Sequence, residues 1–296
     1  MRRRSRSVGS RAGSRRRRAL RRRNWQGGSS MKLWAVSFLS TTPSWEAATT
    51  PEFGSSTSPR LTSMKRIISS DVGYPIDVYG TVIIRDSLDM KCNYIFRHDR
   101  DNCQHISSHG ESLILTGPSR GVVFLGNAFF EIDLKIREGR ECDDKQFNKA
   151  LIDVVGSRIS SVVQRETVDS WRSEVELIFA YVEKALEGTI EIKILSGPES
   201  FCGKITARTT DVSSHMLLYD SDVHGAITVG DDRVIQLLRR VVSVSEDKML
   251  EFNIWTTSSD QNANTTHRQI EFTPLMKGSE RDAITCGLYN LQIKVV

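Results

Sequence analysis

From about Ile67 onward, apolar residues fall at every second position in short runs, and clusters of Gly, Pro, Asp, Asn and Ser separate the runs. Alternation with a period of two puts successive side chains on opposite faces of an extended chain, so each run predicts a strand with one buried face. In the first part these runs are Ile76 to Arg85, Cys92 to Phe96, Ser112 to Thr116, Val122 to Leu125 and Phe129 to Ile136. Further on they are Thr189 to Leu195, Phe201 to Arg208, His215 to Tyr219, Val234 to Val244, Met249 to Trp255, Gln269 to Thr273 and Ile284 to Val295. Ser173 to Glu187 reads two ways. Ser173 with Glu176 fits a capping box and Gly188 a helix stop, yet Val175, Leu177, Phe179 and Tyr181 alternate as in a strand. We take the alternation as the governing signal. The expected fold class is all-β with little helix, an antiparallel sandwich or barrel-like arrangement.

Part of this pattern recurs. Gly80-x-Val82-x-x-Arg85 returns 123 residues later as Gly203-x-Ile205-x-x-Arg208, and the same offset carries Ile95-Phe96-x-x-Asp99 onto Leu218-Tyr219-x-x-Asp222. An offset of 120 places Phe130-Glu131-Ile132-Asp133-Leu134 on Leu250-Glu251-Phe252-Asn253-Ile254. Three segments repeating in order predict two related β-units, residues 67–140 and 170–296, within a domain spanning 67–296.

Residues 1–66 break from this texture. They are rich in Arg, Ser, Thr, Gly and Pro, hold only Glu46 and Glu52 as acids, and show no sustained period, so a disordered leader is expected. Twelve arginines lie within residues 1–23, while the remaining 29 basic and 36 acidic residues give the body a net charge of −7. The overall +5 thus points to nucleic acid only through residues 1–23. That tract fits a nuclear-import patch, and equally the Arg/Ser-rich composition of a chloroplast transit peptide. Five cysteines with no C-x-x-C spacing argue for a reducing compartment, cytoplasm or nucleus. The apolar run Leu33 to Leu39 is too short to span a bilayer, which needs roughly 20 residues, so no transmembrane segment is expected.

No motif names a reaction. Asp86, Asp89, Cys92, His98, Asp99, Asp101, Cys103, His105 and His109 form the densest polar stretch, but Cys92 and Cys103 lie too far apart for a zinc knuckle. Calcium is the better metal candidate, because Asp86/Asp89 and Asp99/Asp101 flank one predicted strand, although no D-x-D-x-D-G loop is present. Gly117-Pro118-Ser119-Arg120-Gly121 lacks the Gly-Lys-Ser/Thr of a phosphate loop and reads as a turn. No Gly-x-Ser-x-Gly elbow occurs. Tyr79, Tyr94, Phe96, Phe124, Phe129 and Phe130 are assigned to the core. The residues singled out for a structural or binding role are Arg85, Asp86, Asp99, Arg100, Asp101 and Arg208. An arginine ending an apolar strand must reach solvent or a carboxylate. Asp86, Asp99 or Asp101 is the expected partner of Arg85, and Asp211, Asp220 or Asp222 that of Arg208.

Tyr79 to Asp86, Asn93 to Phe96, Arg100 to Gln104, Leu113 to Gly121 and Phe130 to Lys135 resemble, in order, blocks of a plant domain-of-unknown-function family abundant in grasses, DUF6598. The resemblance runs from about Ile67 to the C-terminus. It implies no activity, cofactor or site residues. Fusion of some relatives to ribosome-inactivating N-glycosidase domains implies a partner role in defence or translation, although the Glu-Ala-Ala-Arg helix of that enzyme has no counterpart here. The functional expectation is a non-enzymatic module that binds another protein or itself, with nucleic-acid binding through residues 1–23 as the alternative.

Overall fold

The computed structural model describes residues 31–34, 66–86, 90–124, 127–155, 162–257 and 265–296. The arginine tract and Asp89 lie outside them. Within the expected leader, Met31–Trp34 forms a strand. The first ten strands are β1 (Met31–Trp34), β2 (Arg66–Ser70), β3 (Ile76–Arg85), β4 (Asn93–His98), β5 (Gln104–Ile106), β6 (Val122–Phe124), β7 (Asn127–Ile136), β8 (Lys145–Val155), β9 (Val163–Ser170) and β10 (Ser173–Val182). Ten more follow: β11 (Ala185–Ser196), β12 (Ser200–Phe201), β13 (Gly203–Thr209), β14 (Met216–Asp220), β15 (Ile227–Thr228), β16 (Val241–Ser245), β17 (Leu250–Thr257), β18 (Thr265–Phe272), β19 (Glu280–Cys286) and β20 (Tyr289–Val295). One short helix, α1 (Ser221–His224), follows β14. The ambiguous stretch is strand, as its alternation predicted: Val175, Leu177, Phe179 and Tyr181 of β10 are all buried. Among the described residues all the strand pairings are antiparallel, and the sheets stay open instead of closing into a barrel.

Two sandwiches result. In the first, the sheet β4-β3-β7-β8 lays Val78, Val82, Ile84, Phe96, Phe130 and Leu134 against β6 and β10, where Phe124, Val175, Leu177, Phe179 and Tyr181 complete the core. In the second, β14-β13-β17-β18 brings Ile205, Phe252, Ile254 and Phe272 against Ile190, Ile192, Val242, Val244, Leu291 and Ile293 of β11, β16 and β20. Strand β10 serves both, since Ala180 and Val182 on its other face join the second core. The first core thus extends through β8, β9 and β10, and the core residues after the Glu183–Lys184 turn all belong to the second.

The pairing registers show how closely the halves correspond. Both large sheets have the same strand order, with the same β-bulge at Val82/Ile83 and at Ile205/Thr206, 123 residues on. Thr116 donates its amide to the Ile95 carbonyl as Leu238 does to that of Leu218. Gly80 lies opposite Leu134 and Gly203 opposite Thr256, so β7 maps on β17 with an offset of 122 instead of 120. The two offsets differ by two residues, a shift that keeps every side chain on its proper face. Correctly aligned, Phe130 and Ile132 fall on Phe252 and Ile254.

Three predicted strands need correction. Ser112 to Thr116 forms no strand: Ser112 makes a single bridge, the Thr116 amide reaches the Ile95 carbonyl, and between them the Gln104 side chain is the partner, its Nε2 donating to the Ser112 carbonyl at 2.7 Å and its Oε1 accepting from the Ile114 amide at 2.8 Å. Of Val234 to Val244 only the end is strand, as part of β16. Ile284 to Val295 is a hairpin, β19 and β20, turning at Gly287 with φ of 56°.

Gly80 and Gly203 recur for a steric reason. A Cβ on Gly80 would lie 2.2 Å from the Asp133 carbonyl oxygen, and one on Gly203 2.1 Å from that of Trp255. Backbone cannot retreat from such a contact without breaking the ladder. Gly80→Ala and Gly203→Ala are each expected to lower stability by about 1–3 kcal/mol. Gly73→Ala, where nothing lies within 4 Å, should stay within about 0.5 kcal/mol of the parent. Chemical denaturation of the three variants checks this.

Candidate functional site

The Gly117 to Gly121 turn is a structural knot. Asp86, only 1% exposed, receives Arg120 through two bonds of 2.5 and 3.0 Å and the Val123 amide at 2.8 Å. Asn93 receives the Ser119 amide at 3.1 Å and donates to the Arg120 carbonyl at 3.1 Å. Glu187, from the second unit, accepts the Gly121 amide at 2.7 Å. Asp86 is thereby committed to pairing, and among the described residues no group of three or more His, Cys, Asp or Glu side chains gathers as a metal site.

The two recurrent arginines pair with glutamates across the sheet and not with the expected aspartates. Arg208 grips Glu251 through two bonds of 2.8 and 2.7 Å, whereas Arg85 reaches Glu131 and the Met90 carbonyl. The corrected register explains the difference. Glu251 sits directly opposite Arg208, but the residue opposite Arg85 is Phe129, so Arg85 must reach diagonally. The expected partners serve the local backbone: Asp220 caps α1 by accepting the Asp222 amide and pairs with Lys204, and Asp211 accepts the Thr209 hydroxyl. Asp99 precedes a 3-10 turn, Arg100–Asn102, that contains Asp101. Arg100 leaves that turn to bind Asp144 at 2.8 and 3.2 Å, where the Tyr79 hydroxyl also donates at 2.7 Å. Arg100 holds the Asp144 carboxyl well below its usual range, while burial, aided by Asp144, pushes the Tyr79 hydroxyl up to about 12. The six singled-out residues thus divide among separate pairs and turns.

Around Glu251 a polar chain crosses the outer face of the second sheet. Asn253 donates to Glu251 at 2.6 Å, His267 Nε2 lies 2.9 Å from Asn253 Oδ1, and the His267 ring stacks on Trp255 at 4.6 Å. Burial would raise the Glu251 carboxyl, but the hydrogen bonds from Arg208 and Asn253 outweigh it and leave the pKa lowered. Burial also lowers His215, whose Nε2 stands 3.9 Å from Glu251. His215, Asn253, Trp255 and His267 were not singled out from the sequence, because only the register brings them together.

The first sheet carries a different outer face. Tyr94, Ile83, Glu131 and Leu151 are neighbours across β4, β3, β7 and β8, and the next row holds Arg85, Phe129 and Asp153. Leu151 and Val155 are 65% and 69% exposed, and Met90 50%. Of the aromatics assigned to the core, Phe96, Phe124 and Phe130 are buried there, while Tyr79, Tyr94 and Phe129 are partly exposed on this outer side. At matching positions the second sheet replaces Ile83 by Thr206, Phe129 by Glu251 and Leu151 by Gln269.

These features define an all-β protein with two cores, in which the sheets β4-β3-β7-β8 and β14-β13-β17-β18 share one strand order and differ in their outer faces. Residues 63–295 match the domain of unknown function DUF6598, and the chain belongs to that family. No curated protein sequence matches the chain. Among solved structures it is similar to human GIVD cytosolic phospholipase A2, with 9% identity and a TM-score of 0.25 over 92% of this chain and 33% of that one. The complex of that protein with methyl gamma-linolenyl fluorophosphonate gives 9% identity and a TM-score of 0.24 over 90% and 32%. The chain spans about a third of the length of these proteins. Likeness at this level carries no functional argument. Among the described residues no helix is long and apolar enough to cross a membrane.

Two outcomes follow from the paired faces. Arg208→Ala strands the Glu251 carboxylate, 3% exposed, and should lower stability by about 2–4 kcal/mol. Arg85→Ala, on a solvent-screened pair, should lower it measurably less, and urea denaturation of both variants compares them. His215, depressed in the folded state below its ordinary 6.5, stays neutral while the unfolded chain takes up a proton. Stability should therefore fall as pH drops below about 6.5. His215→Gln should flatten that slope in melting curves between pH 7 and 5.

Proposed function

We propose that the protein is a non-enzymatic interaction module that engages a protein partner through the outer face of its first sandwich. The carrying observation is the divergence of two otherwise matching sheets. Where the second has Thr206, Glu251 and Gln269, the first presents Ile83, Phe129 and Leu151, with Tyr94 and Val155 beside them. The second face demonstrates that this sheet geometry accepts a polar exterior, so the apolar one is not demanded by the strand plan. Exposed apolar area of this kind is characteristic of surfaces that meet other proteins.

The same divergence supplies the test. Ile83→Thr, Phe129→Glu and Leu151→Gln together give the first face the residues that the second already carries, with Arg85 placed to pair directly with the new glutamate. A random-peptide display library is selected on the full chain and on the triple variant. Binders enriched on the parent and lost on the variant, at comparable melting temperatures, are the expected result. Equal enrichment on both, or none on either, overturns the proposal.

A further inference from the structure

Strand β8 is an edge strand: β7 occupies one side and no described strand occupies the other. Its outward groups can be identified. The amide and carbonyl of Lys149 both meet the Ser170 hydroxyl, at 3.2 and 2.5 Å, and the Phe147 carbonyl receives the Arg172 amide. Lys149 therefore points its backbone away from β7. Because backbone direction alternates along a strand, so do Leu151, Asp153 and Val155. The chain at 170–172 closes the edge at Phe147 and Lys149 and stops short of these three residues. Their side chains share one face, with Leu151 and Val155 about two-thirds exposed around a single carboxylate.

The edge strands β6, β14 and β16 are largely buried, whereas the other exposed edges carry more charge. Strand β9 has Arg165, Glu166 and Asp169, β18 has His267, Arg268 and Glu271, and β19 has Glu280, Arg281 and Asp282. Charges of this density discourage added strands. On β8 the sequence Ala150-Leu151-Ile152-Asp153-Val154-Val155 supplies one. Pairing with a second copy of this chain is opposed by its own symmetry. An antiparallel dimer centred on Leu151 would drive the 170–172 segment of each copy into the other at Lys149, and one centred on Asp153 would set two carboxylates face to face.

We infer that the 151–155 edge of β8 accepts an extended segment of another protein as an added strand, with a lysine or arginine opposite Asp153 and apolar residues on either side of it. This rests on the interaction reading above and specifies its partner. Backbone bonds to Leu151, Asp153 and Val155 supply affinity, and the apolar, basic, apolar alternation supplies selectivity.

The test uses labelled peptides in fluorescence anisotropy with the full chain. One is a capped heptapeptide Thr-Val-Thr-Lys-Thr-Val-Thr, the second has glutamate for lysine, and a third repeats the first with alternate amides N-methylated on the pairing side. The lysine peptide should bind about tenfold more tightly than the glutamate peptide, Asp153→Lys should reverse that order, and N-methylation should abolish binding. Equal affinity for both charges, or for the N-methylated peptide, overturns strand addition while leaving docking on the apolar face intact. Absence of binding to every peptide, with the Leu151, Asp153 and Val155 amides protected from hydrogen exchange in the free protein, overturns it in favour of an edge covered by the chain's own residues. If those amides exchange freely and no peptide binds, the proposal is also overturned.

Discussion

A buried carboxylate governs the assembly of the first sandwich and its junction with the second. Asp86 ends the long strand β3 beneath the surface, where an unpaired charge would be prohibitive, and Arg120 together with the Val123 amide must come to it. That requirement fixes the entry of β6 and the turn before it. The same turn offers the Gly121 amide to Glu187, so the pairing that closes one sandwich also positions the contact to the other. A Cβ at Gly121 would lie 2.6 Å from the Glu187 carboxylate, so a side chain there would push that carboxylate aside.

The two units share details that packing alone does not demand. A bulge at equivalent positions, a glycine pressed against the neighbouring carbonyl and a crossing hydrogen bond to the second strand occur in both. These belong to the backbone plan. The outer faces obey weaker constraints, because no second sheet among the described residues covers them, and they have taken different chemistry. Glu251 and Asn253 show that a polar outer face can itself be largely buried.

Much of this plan was legible in the alternation of residues, including β10, whose helical start signals were overruled by Val175, Leu177, Phe179 and Tyr181. The matching order of the two sheets left a trace in the recurring segments, but their register was not legible, because short apolar strands match one another equally well when displaced by two. Partners of Arg85 and Arg208 were misassigned for the same reason: local acids were visible in the sequence, while Glu131 and Glu251 become neighbours only through sheet pairing. Ser112 to Thr116 has the composition of a strand, and a glutamine side chain in place of a neighbouring backbone is invisible to any periodicity. Charge-rich β9 hid its strand character because its cohesion comes from β10 rather than from its own apolar face.

Each sandwich is closed by strands from opposite ends of its own sequence. Ser70 lies opposite Ser173, and Ile190 opposite Val295, separations of 103 and 105 residues. Neither core can be sealed until its last strand has been synthesised, which favours slow closure and a prolonged open-edged intermediate. Emergence from the ribosome, however, delivers β10 before the second unit. The first sandwich can therefore complete its hydrogen bonding while the second is still being made, and the finished β10 then presents Ala180 and Val182 as a ready wall. Vectorial synthesis thus turns one shared strand into a template, giving the chain an order of folding that dilution from denaturant, with every strand available at once, would not impose.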